Sequence, residues 1–208
     1  MELKPINQKK LYGLKSTFNE LMNLYNKDNL PSKILLSGNK GIGKCTLAYH
    51  VINYVLSLDE KYSYEVGNLS INPLNKSYML VNNSTHPNFY LIDVQNEKKN
   101  IDINQIRKLI EYTNKSTFNN KPRFILIDNI ENLNINSINA LLKVLEEPNK
   151  NIFFILIHNN TKSVLPTLKS RCLTFKINFT FNQTIDVSNK ILKKNILDII
   201  NYELINYY

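Results

Sequence analysis

The chain has 208 residues, 43% of them hydrophobic and 21% charged, which suits one soluble domain with a short appendage and needs no disulfides. Its 26 basic against 17 acidic residues leave a net charge of +9, which favours a polyanionic partner because neutralising phosphates releases counterions. No apolar run approaches the ~20 residues that span a bilayer, and the N-terminus lacks an apolar signal core, so no membrane partner and a cytoplasmic location are expected.

In chain order, residues 7–27 place Leu11, Leu14, Phe18, Leu21, Met22 and Tyr25 at three- and four-residue spacing, predicting an amphipathic helix that residues 29–32 (Asn-Leu-Pro-Ser) end. Residues 33–37 are a short apolar run of the kind a buried parallel strand uses. A glycine-rich turn follows, and helical spacing resumes over 44–58. Residues 59–87 are polar and asparagine-rich and read as a variable surface loop. Beyond them strand-like and helix-like segments alternate: strands at 89–94, 123–128, 152–157 and 173–177, helices at 103–112 and about 137–147, and a helical turn at 163–170. Pro148 ends the second of those helices. Such alternation implies a parallel sheet covered on both faces. A helical pattern returns from Gln183 through Ile191, Leu192, Ile196, Ile199 and Ile200, too short for another compact domain.

The strongest chemical signal is Gly38-Asn39-Lys40-Gly41-Ile42-Gly43-Lys44-Cys45-Thr46, between a predicted strand and a predicted helix. Glycines let the backbone take positive φ and approach phosphates closely. Successive amides then form an anion cradle completed by the positive end of the helix, and Lys44 places an ammonium against the β- and γ-phosphates. ATP is the expected cofactor. Cys45 departs from the pattern, which puts a magnesium-ligating Ser or Thr there. A thiol is a soft ligand poorly suited to Mg²⁺, although Thr46 could still reach a phosphate oxygen. The alternative is a glycine-rich turn with no ligand.

Residues 124–128, Phe-Ile-Leu-Ile-Asp, are an apolar strand ending in an acid, the form of a Walker B segment. Asp128 would hold a weakly bound Mg²⁺ beside the loop; its plainer reading is a turn cap. Asn129 follows, where an active ATPase has a glutamate, and a carboxamide cannot take a proton. Cys45 and Cys172 are far apart and in no metal-ligand spacing, so no zinc is expected.

Three segments together carry a family resemblance: residues 128–148 ending Leu-Glu-Glu-Pro, residues 165–172 containing Ser-Arg-Cys, and Thr85-His86-Pro87 entering a strand. With the phosphate loop, they resemble the clamp-loader subunits of bacterial DNA polymerase III, closer to delta-prime than to the motor subunit, over roughly residues 8–178. The resemblance implies an α/β fold, a P-loop NTPase of the AAA+ type with a five-stranded parallel sheet flanked by helices. Residues 1–178 would form the nucleotide-binding domain and 179–208 a partial helical lid, with no collar. It implies a trans arginine finger at Arg171, which would meet the nucleotide of a neighbouring subunit; a surface ion pair is the plainer role. It places a sensor of the γ-phosphate near Asn159, with His158 and Asn160 as rivals and a loop-capping asparagine as the simpler alternative. The implied partners are the gamma/tau and delta subunits, the sliding clamp indirectly, and primed DNA. Loss of the Walker B glutamate favours weak or absent hydrolysis. A working motor ATPase and a small-molecule kinase are the alternatives.

Overall fold

A computed structural model describes residues 4–95, 98–115, 121–146 and 151–192. Five parallel strands form one sheet: β1 (Lys33–Ser37), β2 (Phe89–Ile92), β3 (Arg123–Ile127), β4 (Ile152–His158) and β5 (Leu173–Lys176). Their order is β2-β3-β4-β1-β5, so the first strand lies between the last two. Seven described helices accompany them: α1 (Lys15–Asn26), α2 (Lys44–Leu56), α3 (Lys76–Asn82), α4 (Ile103–Asn114), α5 (Ile135–Glu146), α6 (Pro166–Lys169) and α7 (Phe181–Leu192).

The apolar runs divide between two cores because successive strand side chains point to opposite faces. Ile34 and Leu36 of β1, Phe124 and Leu126 of β3, and Ile155 and Ile157 of β4 join the core under α1 and α2. Leu35, Ile125, Ile127, Phe154 and Leu156 join the core under α4, α5 and α6. Neither face of the central strands meets water, which is why they read as unbroken apolar runs rather than alternating ones.

Three elements differ from the sequence expectation. The first helix begins at Lys15, not residue 7. Residues ahead of it instead form a 3₁₀ turn, Pro5–Asn7, and an extended stretch whose Leu11 amide donates to the Leu69 carbonyl. Gly13 stops the helix from running further back: its φ is +73°, and a Cβ there would lie 2.6 Å from Val187 of α7. The segment 59–87 is not a surface loop. It buries Tyr64, Leu69, Ile71, Tyr78 and Val81 against α2 and contains α3. Asn75 caps α3 by accepting the Tyr78 amide at 2.7 Å while its amide donates to the Tyr62 carbonyl. Spaced singly among asparagines, these apolar residues show no period. The strand at 89–94 ends at Ile92, which leaves Asp93 as a free-standing tip. Pro148 and Ile196, Ile199 and Ile200 lie outside the described residues.

The helix α2 is buried almost all round, including His50. His50 Nε2 lies 2.9 Å from the Gln8 carbonyl, which can only accept, so Nε2 carries the proton and Nδ1 accepts the Tyr64 hydroxyl at 2.8 Å. This neutral imidazole pins the N-terminal stretch to α2. Burial pushes its pKa from 6.5 down to about 4. A lowered folded value means stability is complete above pH 6.5 and is lost as pH falls through that window toward 4. The loss from this one group amounts to about 3 kcal/mol. Thermal melts between pH 7.5 and 4 should therefore fall more steeply for the wild type than for His50→Gln, which starts lower but has no group to charge; parallel curves would refute the assignment.

Candidate functional site

The phosphate loop runs from the tip of β1 into α2. Gly38 sits where β1 meets the end of β5: a Cβ there would lie 2.2 Å from the Ile177 carbonyl oxygen, so no side chain fits. Gly41 and Gly43 take φ of +85° and +92°, a left-handed backbone costly for other residues. Space around Gly41 is open, so its requirement is conformational alone. The Gly38 amide donates to the His158 carbonyl at 3.2 Å. Among the described residues, no amide from residues 39–46 donates to another protein group. A run of unbonded N–H groups at the start of a helix is the donor set that a polyphosphate accepts from.

Lys44 is buried and folds back across the loop, its ammonium donating to the carbonyls of Gly38 at 2.9 Å and Asn39 at 2.6 Å. Burial lowers its pKa, while the fields of Asp128 and Glu131 act the other way. Asp128 stands at the tip of β3 and accepts the Asn129 amide at 2.8 Å. Burial, then the neighbouring Asp93, raises the Asp128 carboxyl. Burial, then the field of the nearby Asp128, pushes the pKa of the Cys45 thiol well up, so it stays protonated. A cleft of about 280 Å³ collects Lys44, Cys45, Thr46, Asp128 and Asn159. The loop forms one wall of a second cavity, of about 460 Å³, closed by Tyr12, Phe179 and Val187. Lys40, Gly41, Gly43 and Thr46 border both, so a ligand crossing the loop would touch each side.

The cradle therefore fits a polyphosphate. The donors do not fit a tightly held Mg²⁺. Where a hydroxyl oxygen is needed there is a buried, protonated thiol, and hard cations take oxygen ligands. Among the described residues, no group of three or more His, Cys, Asp or Glu side chains is placed to hold a metal.

Strand alternation separates the three sensor candidates. Asn159 lines the cleft, and its amide donates to Asn129 Oδ1 at 2.9 Å. His158 instead contacts Ser37 Oγ at 3.0 Å and the Lys162 carbonyl, and Asn160 accepts from Ser37. Glu131 accepts the Asn159 amide N–H at 3.2 Å and the Thr161 hydroxyl at 3.1 Å, so this carboxylate braces a loop. Sequence reasoning passed over Asp93, although an acid just beyond a parallel strand was the signal that could have found it. Arg171 is not in the cleft. It pairs with Glu146 at the end of α5, at 2.7 Å, and donates to the Thr167 carbonyl. His86 is a structural residue: its ring contacts Ser77 Oγ at 3.2 Å and accepts the Asn88 amide.

Free loop amides, a buried lysine and an acidic strand tip at the ends of a 2-3-4-1-5 parallel sheet define a P-loop domain of the AAA+ class. Two solved structures from Thermotoga maritima share this fold. A DNA polymerase III gamma-subunit-related protein matches with a TM-score of 0.57 at 21% identity, over 82% of this chain and 49% of its own. The RuvB Holliday junction branch migration motor matches with 0.52 at 16%, over 89% and 53%. Residues 13–180 match the family described as DNA polymerase III, delta subunit. The chain belongs to that clamp-loader family.

Among its relatives, the DNA polymerase III subunit gamma of Buchnera aphidicola subsp. Schizaphis graminum is 32% identical over 195 residues, 92% of this chain and 50% of that protein. The subunit delta' of Pseudomonas aeruginosa is 32% identical over 139 residues, 67% of this chain and 40% of that protein. The chain spans about half or less of these relatives.

The two loop glycines should respond differently to alanine. Gly41→Ala carries only the left-handed strain, about 1–2 kcal/mol. Gly38→Ala must force β1 and β5 apart and should cost clearly more. Urea denaturation of both variants checks this; equal losses would contradict the close approach at Ile177.

Proposed function

We propose that this chain is the nucleotide-binding module of a DNA polymerase III clamp-loader subunit of delta-prime type, which holds ATP statically and lends Arg171 to its neighbour. The observation that carries the reading is the run of unbonded amides over residues 39–46 beside the buried Lys44 and Asp128. Static binding is supported by Asn129, which offers no base, and by Glu131, whose oxygens are already engaged. Asp128 and Asn159 would face the terminal phosphate from the next two strand tips.

In the assembly, the partners would be the gamma/tau and delta subunits, with the sliding clamp engaged indirectly and primed DNA drawn by the basic surface. The position of Arg171 supports a role outside its own cleft. Its guanidinium is about one-third exposed, stands on the α6–β5 corner and keeps donors beyond those given to Glu146 and Thr167. Withdrawn from Glu146, a permanently charged planar group there could offset charge on a neighbour's γ-phosphoryl group.

Two measurements test this. In titrations of the purified chain, ATP affinity should differ by less than roughly threefold with and without Mg²⁺, whereas Cys45→Ser, which restores a hard oxygen ligand, should gain Mg²⁺ dependence. Lys44→Ala should abolish binding. Strong Mg²⁺ dependence in the wild type, with turnover lost in Lys44→Ala, would instead favour a motor ATPase. The second measurement concerns Arg171→Ala. Losing an exposed pair costs about 1 kcal/mol or less, so the variant should fold and bind nucleotide. Hydrolysis by the reconstituted complex should slow by roughly 10³ if the finger is supplied here; an unchanged rate removes the assignment.

A further inference from the structure

Three strand tips stand side by side, and one chain of hydrogen bonds links them. Asn129 Nδ2 donates to Asp93 Oδ1 at 2.7 Å, and Asn159 Nδ2 donates to Asn129 Oδ1 at 2.9 Å. Each carboxamide has a donor edge and an acceptor edge of the same shape, so packing alone does not decide which edge faces which way. Asp93 decides it. Its Oδ1 also takes the Val94 amide at 2.6 Å, so it is already an acceptor and only the NH₂ of Asn129 can approach. The Asn129 carbonyl must then face Asn159, and only the NH₂ of Asn159 can answer it.

Both ends of the relay are anchored. The Asp93 carbonyl receives Gln105 Nε2 at 2.8 Å, and Gln105 belongs to the capping box of α4. Glu131 holds the Asn159 backbone. The αL backbone of Asn129, φ +57°, belongs to the turn that carries its carboxamide between the two neighbours.

We propose that Asp93 is a positioning residue: through Asn129 it commits one N–H of Asn159 to the protein and fixes the carboxamide with its carbonyl edge toward the ligand, so that Asn159 contributes little to recognising a terminal phosphate. Phosphate oxygens only accept, so a carbonyl edge gives them nothing. The inference rests on the nucleotide-binding reading above and adds to it a reason why Asn159 should do little to distinguish ATP from ADP.

The test measures dissociation constants for ATP and ADP on the whole chain, in the wild type, Asp93→Ala, Asp93→Asn and the double variant Asp93→Ala/Asn129→Asp. Both single variants remove the same charge, but only Asp93→Asn keeps an oxygen for Val94 and Asn129. The wild type and Asp93→Asn should show similar preferences for ATP over ADP. Asp93→Ala frees the relay to reverse, turns NH₂ toward the phosphates, and should raise the preference about tenfold, the worth of one charge-assisted hydrogen bond. The double variant puts an acceptor-only carboxylate beside Asn159 and should return the wild-type ratio.

A purely structural role would weaken both nucleotides together and would not be reversed at residue 129. Equal ratios in Asp93→Ala and Asp93→Asn overturn the proposal while nucleotide binding stands. A wild type that binds neither nucleotide overturns the binding reading itself, and the relay with it.

Discussion

A single buried ammonium organises this site. Lys44 lies at the first position of α2, at the positive end of the helix, where a cation is least welcome. Taking it out of water costs several kcal/mol, which good hydrogen-bond geometry must offset. The carbonyls of Gly38 and Asn39 supply it, and the loop can bring them there only because Gly41 and Gly43 turn left-handed and Gly38 lets β1 close on β5. The same turn directs the following amides outward. Lysine and cradle are thus one structure: carbonyls folded inward onto the ammonium leave N–H groups facing the cleft.

The strand order places everything else relative to that lysine. With β1 between β4 and β5 and β3 next to β4, the tips carrying Asp128 and Asn159 fall beside the loop, and β2 adds Asp93 one strand further out. Arg171 follows from the same order. It precedes the edge strand β5, on a corner reached by the end of α5, so it meets Glu146 rather than Lys44. The Leu-Glu-Glu and Ser-Arg-Cys segments, far apart in sequence, are neighbours in space through that pair.

The sheet and the phosphate loop were legible because each has a one-dimensional signature: apolar runs of strand length, and three glycines at fixed offsets before a lysine. Asp128 was legible as the acid that ends an apolar strand, whereas the family resemblance singled out Arg171, which pairs with Glu146 outside the cleft. The resemblance left Asn159 open because His158, Asn159 and Asn160 differ only in which way each points, and that depends on the register of β4 against β1. Residues 59–87 were misread for a different reason. Their burial comes from isolated side chains docking on α2, with Asn53 and Asn75 joined by a hydrogen bond across the contact, and no local period records a tertiary contact. The N-terminal stretch failed similarly: Leu11 keeps helical spacing with Leu14 yet is buried ahead of the helix, which starts only after Leu14 because Gly13 packs under α7.

A base and a metal both need an oxygen with electrons to give. At this site several such oxygens are already engaged. Asp128 accepts the Asn129 amide, Glu131 accepts from Asn159 and Thr161, and Asp93 accepts from Val94 and Asn129. Each of these carboxylates has at least one oxygen engaged by a donor from the strand tips. The loop adds a run of unbonded N–H donors, the groups a polyanion accepts from. A glutamate at residue 129 would remove the carboxamide that now bridges Asp93 and Asn159. Asp93, Asn129 and Asn159 therefore act as one set: a change at the first or second alters the hydrogen bonds that orient the third.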